Sequence, residues 1–401
     1  MRAVCLAVMV LASVPAEGAD YEITSRAKIF DQGKLIPLLE RGDLALVEAD
    51  GDRIKQTINF AVVDAPPERV YDMVMAVERY PDFIRTIADV KVLRRRGQQL
   101  VYEWKLQVPL ITLSGVRMQR GRRPHVIEVR GSKGNFRQAR ERWEFFPIEG
   151  GKKTLTAFYR TLDVETGGLV IETLAKLEPA FAQALSMASS FVHLQAVQRR
   201  AAGQEPRLPK ARSGPVPPFK TLAGNYKVED LGALIELGQL ALIESYDDGA
   251  LRQVTMMTQV QAPRDRLVKI LGTPDDFPKF IPNFAEQTSK RIDANHLELE
   301  WELEVPFVNL YGSSLMTVED NGSVDVLNRG GDIPRGRYRW EFVSTGKDTT
   351  IPVHYAYSDV RKASFFTRKL IEKEPLFEHG AVIASTAVAL TAVKARAEGR
   401  R

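Results

Sequence analysis

Apolar and charged residues alternate strictly between residues 297 and 305, which is the clearest pattern in the chain. The apolar positions are Leu297, Leu299, Trp301, Leu303 and Val305, and Glu298, Glu300, Glu302 and Glu304 lie between them. A period of two predicts an antiparallel strand with one buried face and one face in water. Similar alternation at 338–342 and 142–145, separated by turn residues, predicts a meander of further strands.

The pattern occurs twice because residues 35–200 and 231–397 are two copies of one unit. All four tryptophans follow an offset of 197 positions, since Trp104 and Trp143 recur as Trp301 and Trp340. A period of this length indicates two complete domains, because solenoid repeats are only tens of residues long. Proline, glycine and charged residues between the copies predict a linker. We expect a first domain at 20–202, a linker at 203–220 and a second domain at 221–401.

The amino terminus has the composition of a secretory signal peptide. Met1-Arg2 precedes a short apolar run that ends near small residues, so we expect residues 1–19 to be removed. The alternative is an N-terminal membrane anchor. The one cysteine, Cys5, lies in this segment, so the mature chain would contain neither a thiol nor a disulfide. This predicts a protein exported across the inner membrane, in the periplasm of a Gram-negative cell.

Helix signals flank the predicted strands of each copy in the same order. Proline near a first turn predicts helices that begin at 65–68 and 262–265. Long helical stretches at 169–201 and 365–397 follow the meander, and each contains a proline that bends or breaks a helix. Each copy is therefore expected to be a strand, two short helices, several antiparallel strands and a bent C-terminal helix that covers the sheet.

The phrase at residues 77–84, Val-Glu-Arg-Tyr-Pro-Asp-Phe-Ile, resembles the E-x-Tyr-Pro-x-Phe phrase of the polyketide cyclase / coenzyme Q-binding branch of the START-like (SRPBCC) superfamily. Phe277-Pro278-Lys279-Phe280-Ile281-Pro282 follows the same pattern in the second copy. The resemblance implies an α+β helix-grip fold, in which an antiparallel sheet curves around a long C-terminal helix, duplicated in tandem.

That fold implies a ligand cavity between each sheet and its terminal helix. We expect the cavities to be lined by Tyr102, Trp104, Trp143, Phe145, Phe181, Leu299, Trp301, Trp340, Phe342 and Phe377. Phe83 and Phe280, on the short helices, would lie at the mouths. An apolar lining suits a hydrophobic small molecule such as a lipid, sterol, quinone or aromatic compound. The alternative is that these side chains fill closed cores.

The sequence contains no clear catalytic or metal-binding motif. The five histidines show no metal-ligand spacing and none recurs at the repeat offset, so we predict no metal site, no cofactor and no catalytic residue. Asp163 and Asp359, near the ends of the last strands, are either general acids with raised pKa values or helix caps, and we favour caps. Glu178 and Glu374 are expected to be solvated.

The two meanders carry opposite charge. Residues 91–153 contain sixteen Lys or Arg and five Asp or Glu, whereas residues 288–350 contain seven and eleven. The basic residues that dominate the first meander are Arg94, Arg95, Arg96, Arg117, Arg120, Arg122 and Arg123. Such a face attracts anionic lipid headgroups, and an exported protein is not expected to bind nucleic acid. Alternatively, the opposite charges dock the two domains on each other.

Three functions are compatible with these patterns. The favoured one is an exported, non-enzymatic binder or carrier of a hydrophobic small molecule, with peripheral contact to an anionic membrane surface. The second is an enzyme of the polyketide cyclase or aromatase type. The third is a protein-interaction module with filled cores. The pattern leaves the oligomeric state open.

Overall fold

The computed structural model describes residues 22–29, 31–50, 53–108, 111–161, 166–168, 171–172, 179–204, 212–222, 227–282, 284–305 and 308–400. The expected signal peptide, Asp163 and Glu178 lie outside these residues, as does the side chain of Phe181. Residues 22–204 are called unit one and residues 212–400 unit two.

Sixteen strands within the described residues form a single antiparallel sheet. Those of unit one are β1 Asp43–Asp50, β2 Arg53–Val63, β3 Ile87–Arg96, β4 Gln99–Val108, β5 Ile111–Arg122, β6 Val126–Gly134, β7 Arg140–Ile148 and β8 Lys153–Thr161. Those of unit two are β9 Gly238–Ser245, β10 Leu251–Met257, β11 Phe284–Arg291, β12 His296–Val305, β13 Val308–Val318, β14 Val324–Gly331, β15 Gly336–Ser344 and β16 Thr350–Ser358.

The helices occupy similar places in both units, except that the counterpart of the short helix Tyr80–Phe83 in unit two is the 3-10 helix Pro274–Lys279 and that two helices follow the meander there. The α-helices are α1 Gln32–Leu39, α2 Pro67–Met75, α3 Tyr80–Phe83 and α4 Pro179–Ala201 in unit one, and α5 Gly232–Ile235, α6 Arg264–Leu271, α7 Phe365–Lys373 and α8 Phe377–Ala397 in unit two. Pro179 begins α4, and Pro375 separates α7 from α8, because proline lacks the amide hydrogen that a continuous helix needs.

The two half-sheets join edge to edge through β1 and β9, and the strand order is β11-β12-β13-β14-β15-β16-β10-β9-β1-β2-β8-β7-β6-β5-β4-β3. At the centre of this junction Ala45 pairs with Ala241, which is its own duplicate. The junction therefore has the self-complementary geometry of a twofold dimer interface. Pairing also covers one edge of each half-sheet, which would otherwise be open to association with other strands.

The central strands are buried on both faces. One face packs against the terminal helices α4 and α8, and the other contributes to a core with α1 and α5. Strands that are covered on both sides need apolar residues at successive positions. Leu44-Ala45-Leu46-Val47 in β1 and Leu240-Ala241-Leu242-Ile243 in β9 meet this requirement, and all but one of these side chains are at most 1% exposed.

The terminal helices of the two units pack on each other at a position without bulky side chains. A Cβ atom placed on Gly380 of α8 would lie 2.8 Å from the Cβ atom of Ala188 on α4. Nearby, the rings of Phe191 and His379 stack with centroids 5.6 Å apart. By length and composition α8 is apolar enough to cross a membrane, but more than half of that apolar segment is buried inside the protein.

The segments that precede each half-sheet lie on its outer face in the same way. In unit one the backbone amide of Thr24 donates to the Gln56 side chain. In unit two the amide of Lys220 donates to Gln253, the equivalent glutamine. Residues 212–222, within and just after the expected linker, therefore contact the second unit as an amino-terminal arm.

The close contact of α4 with α8 predicts that a large side chain at Gly380 separates the units. We expect Gly380→Leu to lower the free energy of unfolding by about 1–3 kcal/mol, because the core must move to admit the extra atoms. Urea denaturation measures this change. Ser385→Leu, at an exposed position of the same helix, is the control and should have little effect. Equal stability of both variants would contradict the observed packing.

Candidate functional site

The expected lining residues of unit one lie together on the inner face of its sheet. Tyr102, Trp104, Trp143 and Phe145 are all buried in the core beneath α4. The ring of Trp143 stacks on Phe158 with centroids 3.9 Å apart. Phe83 is buried in the same core rather than open to solvent.

In unit two Leu299, Trp340 and Phe342 share one core, and the corresponding side chains are less completely buried than in unit one. Leu299 and Trp340 are buried, whereas Trp301, Phe342 and Phe377 are partly exposed. Trp340 stacks on His354 with centroids 3.8 Å apart. Phe280 packs against Phe277 at the edge of this core.

A tryptophan packed over a glycine is repeated in both units. Trp104 pairs across strands with Gly115, and Trp301 with Gly312. A Cβ atom on Gly312 would lie 2.2 Å from the Trp301 ring. The indole thus covers the backbone where a side chain would collide with it, which explains why both residues recur at the same offset.

The inner face of unit one also holds a buried cluster of charges that the apolar pattern did not reveal. An oxygen of Glu141 on β7 lies 3.0 Å from a guanidinium nitrogen of Arg117 on β5 and 3.3 Å from one of Arg160 on β8. These three side chains are 4%, 13% and 9% exposed, respectively. We call them the inner-face triad.

Neighbouring aromatic and hydroxyl groups complete the triad's surroundings. The Arg117 guanidinium lies 5.0 Å from the ring centre of Trp104 and donates a hydrogen bond to the Tyr102 hydroxyl. Arg160 donates to the Ser189 hydroxyl on α4 at 3.0 Å. The triad therefore spans from the outer strands of the half-sheet to the terminal helix.

Burial and the neighbouring charges together set the protonation of this cluster. Burial alone would raise the pKa of Glu141, but Arg117 and Arg160 hold it below its usual range. Burial raises the pKa of Tyr102 to about 12 and lowers that of His193 to about 4. At neutral pH the described residues thus present two guanidinium cations, one carboxylate, a neutral phenol and a neutral imidazole.

Several polar atoms on the inner face of unit one lack hydrogen-bond partners within the described part of the chain. They include the side-chain amide of Asn59 on β2, the Thr156 hydroxyl on β8 and Nε2 of His193 on α4. Unsatisfied buried polar groups are uncommon and destabilising in folded proteins. These atoms therefore have unused hydrogen-bonding capacity inside unit one.

Unit two shows that the fold does not require this cluster. The equivalent strand positions, matched through the pairing of the tryptophans, carry Ser314 for Arg117, Tyr338 for Glu141 and Ala356 for Arg160. In this half Trp301 donates to Ser314, and Ser314 donates to Asn328, both through neutral groups. One scaffold therefore carries charged side chains at these three inner-face positions in one unit and neutral side chains at them in the other.

The arginines expected on the surface divide into three groups. Arg94, Arg96 and Arg120 line an open groove on the outer face of unit one, and Arg122 is exposed. Arg95 pairs with Glu78, and Arg123 pairs with Asp72. Arg117 differs from the expectation, because its position in β5 points to the inner face, where it joins the triad.

Two expectations about carboxylates have different outcomes. Asp359 precedes a short 3-10 helix, accepts from the Arg361 amide and pairs with the Arg361 side chain, so it is a cap. Glu374 is not fully solvated as expected, because it is half-buried and desolvation raises its pKa. Within the described residues no group of histidines and carboxylates forms a potential metal site.

We expect the inner-face triad to be tolerated only as a unit. Glu141→Gln leaves two buried cations without their carboxylate and should lower the free energy of unfolding by about 3–5 kcal/mol. The combined variant Arg117→Ser, Glu141→Tyr and Arg160→Ala copies unit two and should be distinctly more stable than Glu141→Gln. Chemical denaturation compares the free energies of unfolding of the two variants. Equal losses of stability would contradict the inference that the residues of unit two can replace the triad.

Buried histidine makes the stability of unit two sensitive to acid. Burial lowers the pKa of His354 from 6.5 to about 3, so the unfolded chain binds the proton first as pH falls. Stability from this group is fully present above about pH 6.5 and decreases toward lower pH, by about 2 kcal/mol at about pH 5.

We expect His354→Phe, which copies Phe158 of unit one, to remove this part of the acid sensitivity. Urea midpoints of both proteins at neutral and acidic pH measure the difference. His125→Phe, at an exposed position, serves as the control. An unchanged pH dependence in His354→Phe would show that this imidazole is protonated without unfolding.

Comparison with known proteins agrees with the geometry. Residues 63–185 match the family described as polyketide cyclase / dehydrase and lipid transport. No curated protein matches the chain.

Solved structures with low sequence identity are also similar. The di-domain aromatase/cyclase StfQ of the steffimycin biosynthetic pathway is 15% identical, with 85% of this chain and 98% of that chain covered and a TM-score of 0.29. A protein from Thermus thermophilus, TTHA0849, is 17% identical, with 37% of this chain and 97% of that chain covered and a TM-score of 0.33. A STAR-related lipid transfer protein from Xanthomonas axonopodis is 16% identical, with 40% of this chain and 93% of that chain covered and a TM-score of 0.30.

The family match covers most of the unit-one meander, and unit two repeats the same strand order and helix positions. Both the resemblance in the aromatic phrase and the expected helix-grip fold are therefore confirmed. Both units thus have the START-like helix-grip fold, and residues 63–185 of unit one match the polyketide cyclase / dehydrase and lipid transport family.

Proposed function

We propose that the protein is a binder or carrier of a hydrophobic small molecule, and that unit one holds this molecule between its sheet and α4. The observation that carries the proposal is the inner-face triad, which lies buried among aromatic side chains. Burying ions is unfavourable unless they are fully paired. Because unit two has the same fold without these charges, their presence in unit one is best explained by a ligand.

The chemistry of the cluster indicates what one end of the ligand should be. Two guanidinium groups face one carboxylate within the described residues, so an additional negative or strongly polarised oxygen is favoured there. The side chains of Trp104 and Trp143 surround the cluster with apolar surface. We therefore propose an amphipathic ligand with an acidic or carbonyl end and a hydrophobic body.

Unit two would accept a different molecule or none. Its inner face offers hydroxyl and amide groups at Ser314 and Asn328 in place of charges. These groups already hydrogen-bond each other, so they favour a neutral ligand or a filled core. We assign the acidic ligand to unit one for this reason.

Location forms part of the same proposal. The signal-like residues 1–19 support export to the periplasm. The exposed arginines of unit one support peripheral contact with an anionic membrane surface, where a carrier collects or delivers a hydrophobic cargo.

An enzyme of the cyclase or aromatase type is the second candidate, and one specific observation favours it. His193 is neutral at physiological pH, its Nε2 atom has no partner in the described residues, and its ring packs edge-on to Trp143 at 5.2 Å. A neutral imidazole beside guanidinium groups is able to take a proton from a substrate while the cations stabilise the resulting oxyanion.

Native mass spectrometry of the protein purified from its own cells tests the carrier proposal. We expect one hydrophobic molecule per chain in the wild type, and none in the combined Arg117→Ser, Glu141→Tyr and Arg160→Ala variant. Trp301→Glu, which disrupts only the inner face of unit two, is the matched control and should retain that molecule. Unchanged occupancy in the combined variant would contradict a ligand site at the triad.

The same material distinguishes a carrier from an enzyme. Incubation of the extracted molecule with fresh protein should return it chemically unchanged if the protein is a carrier. If the molecule is converted, His193→Phe should retain binding and stop the conversion, which would establish the enzymatic alternative.

A further inference from the structure

A wide groove on the outer face of unit one lies behind the inner-face triad, on strands β3 to β6. Its volume is about 540 Å³. Four arginines line it, namely Arg94, Arg96, Arg120 and Arg130. The one carboxylate in its lining is Glu128, and this group already pairs with Arg142 at 2.6 Å. The groove is therefore strongly positive.

Its arginines are available, unlike neighbouring ones. Arg94, Arg96 and Arg120 are exposed and form no ion pair within the described residues, whereas Arg95 pairs with Glu78 in 2.9 Å contacts. Arg130 has one contact, 3.7 Å from Glu22, and both side chains are more than half exposed. Exposed pairs of this kind are weak, so Arg130 is also free to bind another anion.

Apolar side chains accompany these charges. Met118, which lines the groove, is 47% exposed, and Leu93, next to Arg94 on β3, is 47% exposed as well. Val101 forms part of the floor between them. A surface that combines arginines with exposed apolar side chains suits the boundary between lipid headgroups and acyl chains.

Unit two lacks this surface, although it has the same strands. The register places Thr317 where unit one has Arg120, Leu327 where it has Arg130, and Glu298 where it has Val101. Folding of the meander thus does not depend on Arg120 or Arg130, although Lys290 keeps a positive charge at the position of Arg94. Their concentration on one unit indicates an interaction rather than a structural role.

We propose that this groove binds the phosphate-bearing headgroups of an anionic bilayer and docks the protein on it through unit one. The inference rests on the proposed carrier function, because docking places the ligand-binding unit against the membrane. A bilayer fits better than a nucleic acid, since the lining offers flexible apolar side chains and no aromatic ring for base stacking.

Vesicle sedimentation with the full mature chain tests the proposal. The probes are phosphatidylcholine vesicles with and without phosphatidylglycerol. We expect binding only to the anionic vesicles and a steep loss at high salt, because surface charges are screened. Arg120→Gln should weaken binding about five-fold, and the triple variant Arg94→Gln, Arg120→Gln and Arg130→Gln about a hundred-fold.

The matched control removes the same charge from unit two, through Lys290→Gln, Arg329→Gln and Lys347→Gln at exposed positions. It should bind vesicles within about two-fold of the wild type at physiological ionic strength, where distant charges are screened. Equal loss in both triple variants would overturn the site in favour of a general charge effect. Vesicle binding unaffected by the groove variant, or preference for a nucleic acid duplex over vesicles, would also overturn it.

The outcome is separable from that of the ligand proposal. Vesicle binding is measured without any cargo, and cargo occupancy is measured by mass spectrometry without vesicles. A groove variant that loses vesicle binding but keeps its copurified molecule supports both proposals. If the triad variant loses its cargo but binds vesicles normally, cargo binding and membrane docking use separate sites.

Discussion

The pairing of β1 with β9 is the constraint on which the rest of the structure depends. It joins two half-sheets into one sheet around a local twofold axis at Ala45 and Ala241. Once the strands are joined, the terminal helices lie side by side at Ala188 and Gly380 and bury the inner faces of both units together. The units are therefore a fused dimer in geometry, and α4 contributes side chains to the cores of both units.

Because the domain is duplicated, each unit serves as a structural comparison for the other. Both units retain the tryptophans, their partner glycines and the strand order, so these features reflect what the fold requires. They differ in the inner-face triad, whose equivalent positions in unit two are neutral, and in the outer groove, where unit two has Thr317 and Leu327 in place of Arg120 and Arg130. Differences between two copies under the same structural constraints indicate function more directly than similarities do. On this basis we propose that unit one is the ligand-binding and membrane-facing half.

Periodicity predicted the strands, the terminal helices and the inner-face tryptophans, because burial of one sheet face imposes a period of two. It did not predict the triad, since Arg117 was expected on the basic outer surface and Glu141 was not singled out. A comparison of the two copies would have revealed it, because Ser314 and Tyr338 stand in the second copy at the positions of Arg117 and Glu141. The junction of β1 with β9 could not be predicted either, because an apolar strand does not specify which strand will cover it.

A crystal structure of the protein purified from its own cells would test the central claim most directly. Our account predicts density for an elongated molecule beneath α4, with its polar end at Arg117 and Arg160, and no such density at Ser314 and Ala356. A ligand found only in unit two would contradict this account. So would a structure of cargo-loaded protein in which side chains fill the space beside the triad and the cargo is bound elsewhere.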